Sequence, residues 1–214
     1  MLTPIQKNNV NFTSTPIHDV NLKRIADGAN IPAVFTRLSI KNDEDLNAVT
    51  QIKNKWPKVH QIITCFCNEF CKPQTYDADY FAIELKNNTP FLSEKIVGLF
   101  KSIKIKNGDK ERVYLSRIFS KPEHMRDNET RTIKGIGEVL LAETFNLAKK
   151  IKATCLDFHS DNDAFYFRTF EKAKIKIEPG ENFDPKNHDF HFSEKYFDQY
   201  IDYCKKEYSI ESLQ

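Results

Sequence analysis

The sequence predicts an α/β (α+β) domain: a mixed, mostly antiparallel sheet with helices packed on both faces. Three observations point there. Residues 80–85, 96–105 and 112–119 form consecutive apolar strand patterns. Asn107-Gly108 sits between the last two, where both residues tolerate the positive φ of a tight hairpin. Helix, strand and helix patterns then follow in turn across residues 135–172. An antiparallel meander feeding a βαβ unit gives a mixed sheet whose faces must be covered by helices.

Each element has its own signal. Residues 1–32 are polar and irregular apart from a short apolar alternation near Val10 and Phe12, and read as an N-terminal extension. Residues 33–40 read as the first strand, with Val34, Phe35, Leu38 and Ile40 apolar. A helix follows: Asn42 or Asp43 can cap it, acidic residues favour its positive end, Leu46, Val49, Ile52 and Trp56 recur at helical spacing, and Pro57 stops it. Residues 60–71 fit a helix or a buried strand equally. After the meander, residues 135–150 carry a broad apolar helical side, including Ile136, Val139, Leu140, Phe145 and Leu147. Residues 153–158 read as a strand and 163–172 as a helix. Residues 174–177 form a strand stopped by Pro179-Gly180, with 190–192 its expected partner. Ser193 can cap a last helix through Phe197, Tyr200, Ile201 and Cys204. The implied organisation is an extension over 1–32, a domain over 33–192 and a C-terminal helix over 193–214.

Composition narrows the class. The chain has 214 residues, enough for one substantial core, with 40% hydrophobic and 29% charged residues. Seventeen Phe and eight Tyr make that core aromatic. A net charge of +2 argues against a dedicated nucleic-acid surface. No run approaches the roughly 20 apolar residues that span a bilayer, and no signal peptide is recognisable, so the expectation is a soluble cytoplasmic protein. The five cysteines read as reduced thiols; export by a non-standard route would look the same. His60, Cys65, Cys67 and Cys71 lack a matching Cys-x-x-Cys pair, so small buried thiols are expected there and no metal. His188 and His191 read as strand-end surface residues, and the charged run 101–112 as a solvated hairpin.

The stretch with chemical content is 115–137. A strand runs through Ser120-Lys121-Pro122 into a polar loop, which meets Lys134-Gly135-Ile136-Gly137 where a helix begins. Glycines at a helix entrance let backbone approach a ligand, and the unpaired first-turn N–H groups with the helix dipole suit phosphate oxygens. A Gly-x-Gly at a helix also serves tight packing or a turn. It is neither a P-loop, lacking the Gly-Lys-Ser/Thr ending, nor a Rossmann fingerprint, lacking the third glycine.

The surrounding order adds to this. Leu115-Ser116-Arg117-Ile118-Phe119-Ser120-Lys121-Pro122 resembles the fourth strand of GNAT-type N-acetyltransferases, with its Leu-x-Arg-Leu-x-Val-x-Pro pattern. Lys134-Gly135-Ile136-Gly137-Glu138-Val139-Leu140-Leu141 resembles that family's pyrophosphate loop and helix. Residues 153–158 are similar to its fifth strand, and Asn162, Ala164, Phe165 and Tyr166 to the Asn-x-x-Ala-x-x-Phe-Tyr region, with compressed spacing. The resemblance covers residues 33–192. There are two departures: Thr132 stands where the family has Gln or Arg, and the loop over 122–135 is longer and richer in charge.

The resemblance implies splayed central strands with acetyl-CoA between them. Backbone groups of Ile118, Phe119 and Ser120 would pair with the pantetheine arm, Asn162 would contact it, and Ile133, Lys134, Gly135, Ile136, Gly137 and Glu138 would hold the pyrophosphate. An amine would attack the thioester directly. Tyr166 is the candidate donor to the departing thiolate, its phenol ordinarily titrating at roughly 10, with Arg168 and Phe167 as rival occupants of the family's Tyr position. Ser116 replaces the family's frequent Glu, which leaves Glu84 and His159 as candidate bases through water. The expected partners are acetyl-CoA and an amine-bearing acceptor, small molecule or protein, with no membrane; tRNA is the one nucleic-acid alternative, and a homodimer stays open. A non-catalytic CoA-binding module of the same fold is the rival reading.

Overall fold

A computed structural model describes residues 15–56, 60–72, 77–107, 110–125 and 129–210. The chain order is β1 (Thr15–Arg24), β2 (Asn30–Arg37), α1 (Asp43–Lys55), α2 (His60–Phe70), β3 (Ala78–Leu85), α3 (Leu92–Lys95), β4 (Ile96–Asn107), β5 (Lys110–Ser120), β6 (Ile133–Lys134), α4 (Ile136–Lys150), β7 (Cys155–His159), α5 (Asp163–Lys172), β8 (Phe183–Asp184), β9 (Asp189–Ser193) and α6 (Phe197–Tyr208). The strands form one sheet ordered β6-β1-β2-β3-β4-β5-β7-β9-β8. All neighbours are antiparallel except β5 and β7, which run parallel as the βαβ pattern requires.

Two cores sandwich this sheet. Phe81, Ile83, Val97, Phe100, Val113 and Leu115 face α4 and α6. Tyr80, Ala82, Ile96, Leu99 and Phe119 face α1 and α2, where Trp56 and Phe66 are fully buried. The central strands are therefore apolar on both faces, and they read in the sequence as continuous runs. Asn42 caps α1 as expected, its side chain accepting from the Glu44 N–H at 2.9 Å. The ambiguous segment is helical, α2. Pro57, Gly108 and the alternation near Val10 lie outside the described residues, although β4 and β5 pair to Asn107 and Lys110 at the hairpin end.

Several expectations need correction. The stretch read as an irregular extension contributes β1, which lies between β6 and β2. A register irregularity between Pro16 and His18 turns His18, Val20 and Leu22 inward. A histidine at a core position breaks the apolar alternation, which hides the strand. His18 is satisfied there by Glu143 of α4, Nε2 to Oε1 at 2.8 Å, with the carboxylate fully buried. Residues 174–177 are not a strand. The Asn182 side chain takes their neighbouring backbone, accepting from the Glu178 N–H at 2.8 Å and donating to the Lys176 carbonyl at 2.9 Å. β9 pairs with β7 and β8 instead. Ser193 makes no side-chain cap; a 3-10 turn over Glu194–Tyr196 precedes α6. Lys101, placed by sequence in a solvated hairpin, is buried against the Glu69 carboxylate at 2.8 Å. Cys67 is buried on α2 and its thiol is pushed up to about 11 by burial, but Cys65 and Cys71 are exposed.

Candidate functional site

The site starts from a gap in the sheet. β5 and β7 pair only at Arg112–Cys155, Val113–Leu156 and Tyr114–Asp157. Beyond them β5 continues to Ser120 with β4 on one side and, among the described residues, no strand on the other. The departure coincides with a bulge: Lys101 pairs with Arg117 and Ser102 with Leu115, so Ser116 is an extra residue. A bulge bends and twists its strand, and this one turns β5 away from β7. The two strands are thus splayed, and residues 115–120 present backbone donors and acceptors to the opening.

The opening leads to the start of α4. β6 pairs with Lys23 and Arg24 of β1, which brings the loop to the far edge of the sheet. Gly135 then takes φ 97°, a left-handed conformation open to glycine, and serves as the N-cap. Its carbonyl accepts from the Val139 N–H at 2.9 Å. The N–H groups of Ile136, Gly137 and Glu138 precede the first intrahelical bond.

One cavity of about 430 Å³ joins these features. Its wall includes Ile118, Phe119 and Ser120 of β5, Ile133 and Lys134 of β6, Gly135, Ile136, Gly137 and Glu138 at the helix entrance, and Asn162 before α5. Tyr166 and His159 line it as well. Arg117, Arg131, Arg168 and Lys172 join Lys134 there, against Glu138 and Asp161, so the wall is net positive. A free strand edge, unpaired helix-end amides and surplus cations in one cavity fit a ligand with an amide-bearing arm and a diphosphate.

The individual side chains are differently placed. Asn162 caps α5 by accepting from the Phe165 N–H at 3.1 Å, which leaves its amide NH2 for a ligand. Tyr166 is buried between Phe158 and Phe190, with ring centroids 4.7 and 5.3 Å away, and burial pushes its phenol well above the ordinary value. His159 ends β7 half-exposed, its Nδ1 3.1 Å from Asp189 Oδ1. Glu84 is not brought to the cavity. It lies buried on β3, where desolvation raises its pKa and Asp45 and Lys95 are its charged neighbours.

One feature escaped sequence reasoning. His124, in a 3-10 turn over Pro122–His124, lines the cavity and is 8% exposed. Its Nδ1 is buried with no hydrogen-bond partner, and burial lowers its pKa. Its only sequence signal was a place in a charged loop. The glycines take the tight-packing role that a Gly-x-Gly at a helix also allows. A Cβ on Gly137 would meet Phe165 Cζ at 2.9 Å, and one on Gly135 would lie 3.0 Å from two carbons of the Tyr208 ring and closer still to Cε1. Both vacant Cβ positions are filled by the protein's own aromatic rings.

Cys155, Asp157 and His191 gather with ligand atoms within 4.8 Å of one another. The Arg112 guanidinium already occupies that cluster as its cation, with Nε donating to Cys155 Sγ at 2.9 Å and its terminal nitrogen 2.7 Å from Asp157. It is read as a structural ion cluster on the sheet surface.

No family model and no curated protein sequence matches this chain. Solved structures do. Arabidopsis thaliana NAA60, crystallised with a bisubstrate analogue, aligns with TM-score 0.50 at 13% identity, over 75% of this chain and 97% of that one. AtaTR, solved with AcCoA, aligns with TM-score 0.46 at 16% identity, over 78% and 96%. A tandem GNAT protein from the clavulanic acid biosynthesis pathway gives TM-score 0.43 at 16% identity, over 60% of this chain and 36% of that one. The chain has the fold of the GNAT-type acetyltransferases. At these identities the likeness establishes the fold; the activity has to be argued from the site.

Proposed function

We propose that this protein is an acetyl-CoA-dependent N-acetyltransferase acting on a primary amine. The observation that carries the reading is the free edge of β5 over residues 115–120, opening into a cavity that ends at the unpaired amides of α4. An extended pantetheine arm can add to that edge as a strand does. The amides of Ile136, Gly137 and Glu138, with Lys134 and Arg131 beside them, suit the diphosphate.

The chemistry then falls where β5 and β7 converge, at the end of residues 115–120 away from the phosphates. The acceptor nitrogen attacks the thioester carbonyl, the C–N bond forms, the C–S bond breaks, and the nitrogen loses a proton while the thiolate gains one. Tyr166 supplies the thiolate's proton in this reading: burial keeps the phenol protonated at neutral pH. His159 takes the amine's proton through water, held in orientation by Asp189. Glu84 does not line the cavity and has no part in this reading.

Isothermal titration should show 1:1 acetyl-CoA binding, and a thiol-release assay across a panel of small amines and peptides should show turnover with at least one. Absence of acetyl-CoA binding would sink the reading. A second reading, a CoA-binding module without catalysis, is favoured by Ser116 at the bulge, a residue with no capacity as a base unaided. It predicts binding with no thiol released for any acceptor.

A further inference from the structure

The cofactor loop is gripped from outside by the C-terminal helix. α6 presents Phe197, Tyr200, Ile201, Cys204 and Tyr208 on one buried face. That face lies along α4 and ends over its entrance. The Tyr200 hydroxyl donates to the Glu138 carbonyl at 3.3 Å, and Cys204 Sγ lies 3.9 Å from the same oxygen. One turn on, the Tyr208 ring covers Gly135 on the side where any other residue would carry its Cβ. β1 pairs with Ile133 and Lys134, and Arg131 Nε donates to the Ile133 carbonyl at 2.9 Å. The loop is thereby held by both α6 and β1, and Tyr208 is the contact at Gly135, the residue of 133–138 with left-handed backbone.

We propose that α6 is a clamp that preorganises the anion-binding loop, with Tyr208 as the positioning residue that fixes Gly135. The proposal rests on the reading of residues 133–138 as the diphosphate site. Glycine explores more backbone conformations than any other residue. Three amides can converge on one phosphate only if Gly135 keeps a single conformation, so an unclamped loop must be ordered at the moment of binding. The ring supplies that order by contact alone and touches no reacting atom. The clamp therefore acts on cofactor affinity and leaves the chemical step alone.

The test compares wild type with Tyr208→Phe, Tyr208→Leu and Tyr208→Ala by acetyl-CoA titration, steady-state kinetics and hydrogen exchange of the amides at 135–138. Tyr208→Phe keeps the ring and should match wild type. Tyr208→Ala should weaken acetyl-CoA binding about tenfold and raise its KM in step, with kcat at saturation within twofold and faster exchange at 135–138. If that variant fails to fold, Tyr208→Leu, which keeps apolar bulk without a flat ring, should show the same pattern in smaller measure. Affinity and exchange at wild-type levels in a folded Tyr208→Ala or Tyr208→Leu protein would overturn the clamp, as would a fall in kcat with KM unchanged. Should wild type itself bind no acetyl-CoA, the diphosphate reading fails separately, and exchange alone decides: acceleration at 135–138 upholds the clamp, and unchanged exchange refutes it.

Discussion

His124 shows what a single residue can be asked. The ring sits 8% exposed with Nδ1 unpartnered, and Lys121 and Arg131 add repulsion while Glu123, 3.5 Å from Nε2, partly offsets it. Desolvation dominates and holds the imidazole below its ordinary 6.5. A base whose folded pKa is depressed contributes stability above its unfolded value and loses it as pH falls. Urea denaturation of wild type and His124→Gln between pH 8 and pH 5 should therefore show wild type losing more stability toward acid, so that the gap between them narrows. A gap that stayed constant would mean that burial does not keep the ring neutral. Nothing local in the sequence separates this histidine from the half-exposed His159, because burial is set by strands far along the chain. The glycines teach the same lesson. Their place at a helix entrance was legible, but the rings that need them, Tyr208 and Phe165, belong to α6 and α5.

Elements were legible where pattern and local chemistry agree. β5, α4 and α5 carry clean periodicity and sit close to their expected bounds, so the order of the cavity-lining elements could be read directly. β1 could not, because its inward face spends one position on His18. The pair that His18 makes is what joins β1 to α4. Glu143 has no exposure, is raised in pKa by burial, and finds His18 at 2.8 Å and Asn146 at 3.2 Å. Removing the imidazole strands a buried carboxyl group, at a cost of about 1–3 kcal/mol for an unsatisfied acceptor and about 3–5 kcal/mol if it stays ionised. His18→Ala should lower the urea midpoint accordingly, and the double variant with Glu143→Leu should recover part of the loss. A single variant as stable as wild type would show that β1 is held by its strand pairing alone. The strand expected over 174–177 failed for the converse reason: its alternation is real, but one asparagine claims the neighbouring backbone.

At the scale of the whole molecule, the long strand β5 is paired along its length with β4 but over only three residues with β7. Among the described residues, the three pairs at Arg112, Val113 and Tyr114 are the ladder that links β6 through β5 to the β7-β9-β8 end. A ligand lying in the gap would touch β5 on one side and Asn162 on the other, and so tie the two parts together as well as fill the cavity. Its binding energy should appear as stability of the entire fold. A ligand present at 100 times its Kd and bound only by the native state adds about 2.7 kcal/mol. A chain in the range of 150–250 residues gains roughly 2–4 °C in Tm per kcal/mol. Saturating acetyl-CoA should then raise the melting temperature by roughly 5–10 °C, in one transition. Hydrogen exchange should slow in β5 and also in β7 and the start of α5. A rise in Tm with protection confined to residues 133–138 would place the ligand at the helix entrance alone, as an anion bound to α4, and would remove the strand-like arm from the gap.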